Sequence, residues 1–268
     1  MMVDTPGYEY IRTWLNQRCG ISYPDKKKDL LRQRLGRVTA RFGVVDLNEL
    51  ATQLKGDGSR EIQLAVLHAA STNHTFFFRE PQVLDVFRDR ILPSLADRDA
   101  IRIWSAAASS GDEAYTLAIV ATETLGRTGI EDRVAVLGTD ISEPMIARAE
   151  SAIYGASHLE QTPDPILRRY FTPIGKEQYR VIDDLRRMCT FRRMNLKATP
   201  YPFRKPFHVV FCRNVLYYFD RDHQISTLES LYDVTAPGGW LLTSVTEAIR
   251  DLGTRWKVVC SGVYRKAP

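Results

Sequence analysis

The chain has 268 residues, 44% hydrophobic and 26% charged, and its 37 Lys and Arg against 32 Asp and Glu leave a net charge of +5; this is the balance of a globular protein with its own core, in one large or two modest domains. No apolar run approaches the roughly 20 residues of a membrane span, and the start M-M-V-D-T-P-G has neither the basic head nor the apolar core of a signal peptide. Cys19, Cys189, Cys212 and Cys260 lie far apart, with no C-x-x-C pair and no His at ligand spacing, which argues against a metal site and predicts buried thiols in a cytoplasmic protein.

Residues 7 to about 90 read as helical. Tyr10, Ile11, Trp14 and Leu15 share one face of a first helix that Gly20 stops. Pro24 and Asp25 start a second, whose Leu31, Leu35, Val38 and Phe42 face inward until Gly43 ends it. Asp46 caps a third (Leu47, Leu50, Ala51, Leu54), the G-D-G-S turn at 56–59 breaks it, and Glu61 to Ala70 makes a fourth. The result is a small helical bundle with one lopsided member. From Pro24 to Arg41 the second helix carries Lys26, Lys27, Lys28, Arg32, Arg34, Arg37 and Arg41 against Asp25 and Asp29, as much excess charge as the whole chain. Most charged helical faces are only solvated, but seven against two predicts an acidic partner, protein or nucleic acid.

The run S-T-N-H-T-F-F-F-R-E at 71–80 follows. Three consecutive phenylalanines cannot face one way, so the segment is enclosed on several sides and draws Asn73, Thr75 and Arg79 in with it; buried polar groups then need partners, in backbone or in a ligand. Pro81 opens a helix (Val83, Leu84, Phe87, Ile91, Leu92).

Ile101, Ile103 and Trp104 form a strand that runs into seven small residues, Ser105 to Gly111, and then into a helix with Asp112 and Glu113 in its first turn. Strand, small-residue turn and helix open a nucleotide-binding βα unit, yet the loop is not the G-x-G-x-x-G that places a pyrophosphate. Two acids repel phosphate and suit a ligand with an amino group, as in S-adenosylmethionine; the plain alternative is a tight strand-to-helix turn. Arg133 to Thr139 is a second strand ending at Asp140, where such sheets accept ribose hydroxyls. Ile141 to Ala152 is its helix, with Ser142 as N-cap.

Short β-like runs between 163 and 197 (Tyr170-Phe171, Tyr179 to Ile182, Met188 to Phe191) predict a small antiparallel insertion, basic through Arg186, Arg187, Arg192 and Arg193. Phe207 to Phe211 is a buried strand leading into C-R-N-V-L-Y-Y-F, helix 221–235 follows, Pro237-Gly238-Gly239 turns the chain into a strand at 240–245, and 256–259 with 263–265 make a terminal hairpin. The fold class is α/β.

Taken together, T-N-H-T-F-F-F-R-E (72–80), W-S-A-A-A-S-S-G-D-E-A-Y (104–115), G-T-D-I (138–141), N-L (195–196) and F-C-R-N-V-L-Y-Y-F (211–219) resemble the chemotaxis receptor methyltransferases, CheR, over nearly the whole chain. The resemblance implies a Rossmann-like class I methyltransferase domain at 96–268 with a small β insertion at 170–193, an all-helical domain at 1–72, and a linker at 73–95 that contributes to the cofactor site. It implies S-adenosylmethionine as cofactor, S-adenosylhomocysteine as product, and glutamate side chains of chemoreceptors as substrate. Residue by residue it implies Asn73, Thr75 and Arg79 at the cofactor from the linker, Glu113 at its amino end, Asp140 at the ribose, Asn195 and Leu196 at the adenine, and Asn214 and Val215 near the methionine. Arg79 and Tyr218 match the positions nearest the transferred methyl, and no general base is required because a glutamate, with a reference pKa of about 4.3, is already ionised. Lys27, Lys28, Arg32, Arg34, Arg37 and Arg41 gain the acidic methylation helices of a chemoreceptor as a target. A single-glycine loop, T-P-I-G-K-E-Q at 172–178, implies independence of a receptor's C-terminal peptide tether, and a monomer is expected. One departure is S-V-T-E-A-I-R at 244–250, which keeps Glu247 without the family's preceding His and Ser. A basic nucleic-acid methyltransferase and a non-catalytic binding module are the competing readings; the first predicts steep salt dependence with nucleic acid, and intact Arg79 and Tyr218 argue against the second.

Overall fold

A computed structural model describes residues 6–55, 60–71 and 74–268; the G-D-G-S turn and Asn73 lie outside the described residues. The N-terminal helices are α1 (Pro6–Cys19), α2 (Lys28–Phe42, entered through a 3-10 turn at Asp25–Lys27), α3 (Leu47–Lys55) and α4 (Arg60–Ala70). Tyr8, Ile11, Leu15 and Cys19 are the buried stripe of α1, so the stripe is rotated from the expected Tyr10 and Trp14, which are half-buried. Gly43 ends α2 at φ 66°, a conformation that favours glycine. Asp46 caps α3 by accepting from the Asn48 and Glu49 amides at 2.8 and 2.9 Å, while Glu49 reaches back to the Val45 amide, a reciprocal box that satisfies the free donors of a helix start.

Beyond the linker, α5 (Pro81–Val86) passes through a π turn at Phe87–Ile91 into α6 (Leu92–Ser94). The chain then runs β1 (Ile101–Ser105), α7 (Asp112–Leu125), α8 (Ile130–Arg133), β2 (Val134–Asp140), α9 (Glu143–Ser151), β3 (Ile153–Gly155), α10 (Ala156–Leu159), α11 (Asp164–Tyr170), β4 (Phe171–Pro173), β5 (Gln178–Val181), α12 (Asp183–Met188) and β6 (Cys189–Arg193). It closes with β7 (Phe207–Phe211), α13 (Arg221–Asp233), β8 (Thr235–Leu242), β9 (Lys257–Cys260) and β10 (Val263–Arg265).

Seven strands form one sheet in the order β6-β2-β1-β7-β8-β10-β9. The pairs from β6 to β8 are parallel and β10 runs against both its neighbours. Side chains alternate across it: Ile101, Ile103, Val209 and Phe211 face a core built with α5 and α7, while Trp104, Val210 and Cys212 face a second core continuous with the N-terminal helices. The chain leaves β1 toward β2 and β6, then returns to β7 on the other side. That reversal opens a crevice at the carboxyl ends of β1 and β7, the place where open α/β sheets bind ligands.

Two strands differ from expectation. Cys189–Arg193 is an edge strand of the large sheet, paired in parallel with β2, and the small sheet is instead β3-β5-β4, recruiting Ile153–Gly155. The insertion expected at 170–193 is therefore corrected: α12 packs on α7 and α8 and delivers the chain to the large sheet. Pro237-Gly238-Gly239 does not end a turn but lies within β8 as a bulge, the register shifting between Phe207 opposite Thr235 and Val209 opposite Trp240. Gly238 at φ 69° absorbs the extra length. Cys19, Cys189 and Cys212 are buried free thiols, and Cys260 is half-buried.

Candidate functional site

A cavity of about 330 Å³ lies at the reversal point. Its walls come from six separated stretches, the first of which, the end of α1 with the connection after it, gives Cys19 and Ile21. The linker gives Thr75 and Arg79, the turn after β1 gives Ala106, Ala107, Ser109 and Glu113, the tip of β2 gives Asp140, the segment after β6 gives Asn195 and Leu196, and the turn after β7 gives Asn214, Val215 and Tyr218. Every residue expected at the cofactor or the transferred methyl, among the described ones, lines this one cavity.

The turn after β1 is built for close approach. Ala106, Ala108 and Ser110 are buried, and at Gly111, φ 91°, an added Cβ would stand 2.8 Å from Ala149 Cβ and 3.0 Å from the Tyr154 hydroxyl. Asp140 is held by the amides of Ser109 and Ser142 at 2.9 and 2.8 Å, one to each oxygen. Those two bonds leave acceptor positions on both oxygens. Burial raises the pKa of Asp140, against the lowering by these amides. Ser142 stands at the N-cap of α9 without a side-chain cap bond; its hydroxyl lies 2.6 Å from His68 Nδ1 on α4 instead, joining the helical domain to the β2 tip.

Glu113 Oε1 accepts from the Ser105 hydroxyl at 2.7 Å and Oε2 from Arg213 Nη1 at 3.0 Å. Arg213, absent from the expected set, is the hub of the site. Its side chain is 3% exposed, its Nη2 donates to the Arg79 carbonyl at 2.6 Å and lies 3.5 Å from Glu80, and its Nε has no partner among the described residues. Glu80 in turn accepts from Asn214 Nδ2 and the Ser244 hydroxyl, both at 3.0 Å. Burial would push the Glu80 carboxyl up, but Asn214, Arg213 and Ser244 outweigh it and hold it below its ordinary value. Both residues stood inside blocks already singled out, as a charge within a hydrophobic block, which is the signal that finds them.

Glu247 has a structural task that explains its retention. It is buried and accepts from the amides of Asn214, Leu216 and Ser244 at 2.7, 2.8 and 3.2 Å. It fixes the turn in which Asn214 adopts a left-handed φ of 58°, a conformation Asn tolerates better than most residues. Burial raises its pKa despite those amides. Next to it, Tyr218 stacks on Tyr217 with ring centroids 4.4 Å apart, and its carbonyl accepts from the Ser22 amide at 2.7 Å, pinning the α1–α2 connection to the cavity mouth. Arg79 folds back on its linker, donating to the His74 carbonyl at 2.9 Å. Asn195 donates to the Arg18 carbonyl at 2.7 Å, closing the cavity against the end of α1.

The six expected docking cations do not form one patch. Lys27 lies over the Tyr218 ring at 5.6 Å, at the cavity mouth. Lys28 and Arg32 both lie over a different ring, that of Tyr8. Arg34 is half-buried and donates to the Tyr23 hydroxyl and to the Ala70 and Ser71 carbonyls. Arg37 is exposed, and Arg41 pairs with Glu61 at 3.5 Å. In the insertion, Arg186 and Arg187 pair with Asp183 and Asp184, so half of the second basic cluster is neutralised locally. Among the described residues, no helix is long and apolar enough to cross a membrane.

Known proteins resemble the chain over its length. Residues 6–67 match the family model of the CheR methyltransferase all-alpha domain, and residues 73–264 that of the CheR methyltransferase SAM binding domain. The chain is 33% identical to a chemotaxis protein methyltransferase of Vibrio anguillarum, covering 94% of this chain and 92% of that one. It is 32% identical to chemotaxis protein methyltransferase 1 of Pseudomonas aeruginosa, covering 99% of each, and 31% identical to that of Borreliella burgdorferi, covering 92% and 89%.

Proposed function

The chain belongs to the CheR methyltransferase family, S-adenosylmethionine-dependent enzymes of chemotaxis, and from that premise we propose that it methylates glutamate side-chain carboxylates of chemoreceptors without needing a C-terminal receptor tether. The observation that carries this is the convergence of six separated stretches on one cavity whose mouth holds a cation, Lys27, against Tyr218.

The residues present fit the cofactor. Asp140 offers acceptors on both carboxylate oxygens to the paired hydroxyls of a ribose, Glu113 offers a carboxylate to an ammonium, and Leu196 with Ile141 and Ile21 offers an apolar slot to a purine. The turn before Glu113 has no phosphate to hold, in keeping with its two acids. Asn73 is assigned to the same site with Thr75, Asn195, Asn214 and Val215. When bound, the cofactor supplies an electrophilic sulfonium methyl.

The remaining work falls to the chain's own side chains. Arg79 steers the incoming carboxylate, Tyr218 positions it through its hydroxyl, and the walls exclude water. A carboxylate is already nucleophilic at neutral pH, so alignment and desolvation carry the rate. Lys27 and Arg37 face the substrate helix, Lys28, Arg32 and Arg41 extend the field around it, and the acidic partner is a protein, not a nucleic acid. Tether independence is supported by the β4–β5 connection, a four-residue turn at 174–177 closed by the Ile174 amide on the Gln178 carbonyl at 2.9 Å, too tight to wrap a peptide. The enzyme acts as a cytoplasmic monomer.

The test is incubation with methyl-labelled S-adenosylmethionine and membranes carrying the host's chemoreceptors, followed by mild alkali. Alkali-labile label on receptor-sized protein, lost in Arg79→Ala, is expected. Alkali-stable label, or label on nucleic acid, contradicts the substrate assignment.

A further inference from the structure

Arg79 is the middle of a strained tripeptide. Phe78 and Glu80 on either side have φ of 59° and 56°, left-handed values that non-glycine residues hold only where the surroundings over-determine them. On the C-terminal side the restraint is Glu80, tied to Asn214 and Ser244 as described. On the N-terminal side the restraint comes from the small antiparallel sheet. Phe77 is fully buried and is met edge-on by Tyr154 of β3 at 4.9 Å and Phe171 of β4 at 5.0 Å. Its amide donates to the His158 carbonyl at 3.0 Å, and the Phe78 amide donates to the Thr116 hydroxyl at 3.2 Å.

The small sheet and α10, the short helix that continues from β3, also grip the turn after β1. The Tyr154 hydroxyl donates to the Ser110 carbonyl at 2.7 Å, and His158 Nδ1 lies 2.5 Å from a carboxylate oxygen of the fully buried Asp112. A sheet whose only task was to present an edge to a partner would need none of these inward contacts.

We propose that the small sheet is the seat of the arginine-bearing linker: Tyr154, Phe171 and the His158 carbonyl fix Phe77, and through it they are positioning residues for Arg79. This rests on the reading of Arg79 as the arginine at the transferred methyl. Two edge-on ring contacts and one amide bond define where Phe77 sits, and two residues further on the chain carries Arg79 between the two left-handed residues. Loosening the Phe77 contacts lets the tripeptide relax from its left-handed conformation and moves the guanidinium, while Glu113 and Asp140 stay in place because Tyr154 and His158 keep their hold on the turn after β1.

The test uses Phe77→Leu and Phe171→Leu in the full chain, each keeping an apolar side chain, with Arg79→Ala beside them. Three quantities are read: hydrogen exchange at the Phe77 and Phe78 amides, S-adenosylhomocysteine bound per chain, and turnover per binding site. The seat predicts faster exchange at both amides in both leucine variants. It also predicts an unchanged number of sites per chain, and turnover per site down by about ten-fold, the scale at which a sub-ångström to ångström displacement acts. Counting sites separates this from partial unfolding, which removes sites but leaves the turnover of each intact. Turnover per site kept in both leucine variants but lost in Arg79→Ala overturns the seat and spares the reading of Arg79. Turnover kept in Arg79→Ala overturns that reading and the seat with it.

Discussion

Replacing Arg213 by methionine tests the electrostatic skeleton of the site. The guanidinium stands 3.0 Å from Glu113 and 3.5 Å from Glu80, with the three side chains 3%, 13% and 18% exposed. At an effective dielectric constant of about 20 each contact is worth about 5 kcal/mol before desolvation is counted. Removing one member of a buried group of charges costs about 3 to 5 kcal/mol, because its partners remain buried without it. For a chain of this size that is a fall in melting temperature of roughly 10 °C. The loss depends on pH in a definite direction. Glu80 is held below its ordinary value, so the stability it contributes is present above its unfolded pKa and is lost as pH falls through the folded one. In Arg213→Met the share that Arg213 supplies is gone while Asn214 and Ser244 keep theirs, and the gap between the two proteins narrows as the pH drops toward the carboxylate range. Arg213→Lys recovers part of the stability, since a point charge restores one contact but not the fork. Thermal unfolding of the three proteins across a pH series is the assay. A shift of less than about 2 °C in Arg213→Met at neutral pH would refute the hub, whatever happened to activity.

Three further outcomes follow from the same geometry. Asp140→Asn keeps the shape but sets an amide nitrogen against one of two backbone donors, so S-adenosylhomocysteine affinity measured by calorimetry falls by about ten- to hundred-fold, as for a lost charged hydrogen bond. His208 is buried in β7 and accepts from the Arg102 amide at 2.9 Å. Burial, with Arg102 and Arg98 nearby, draws its pKa down from 6.5 to about 4; a depressed value means stability is full above the unfolded pKa and declines between about 6.5 and 4, by about 3 kcal/mol. His208→Asn removes that slope in acid denaturation. Arg37→Glu, on an exposed position, raises the KM for receptor several-fold with kcat unchanged and weakens the salt dependence of KM.

Much of this was legible in the sequence because the signals were local. Gly43, the Asp46 cap and the strand–small turn–acid pattern of 101–113 each depend on residues within a few positions, and the structure has each at the place the sequence indicates. What failed depended on partners distant in sequence. Cys189–Arg193 alternates like any half-buried strand, and only its pairing with β2 assigns it to the large sheet. Pro237-Gly238-Gly239 reads as a turn until β7 is laid alongside it. Ser142 has the chemistry of a cap, but His68, brought from another domain, is the competing partner. Arg213, Glu80 and Glu247 were legible as positions but not as a network, since a charge in a hydrophobic block announces burial without naming its partner.

The most direct measurement is peptide mapping of a receptor cytoplasmic fragment after reaction with the enzyme and S-adenosylmethionine, on two fragments that differ only in the C-terminal tail. The account predicts methyl esters on glutamate side chains of the methylation helices, formed at similar rates with and without the tail and absent with Arg79→Ala. Methyl groups on any other residue type, or esters that appear only when the tail is present, would contradict it.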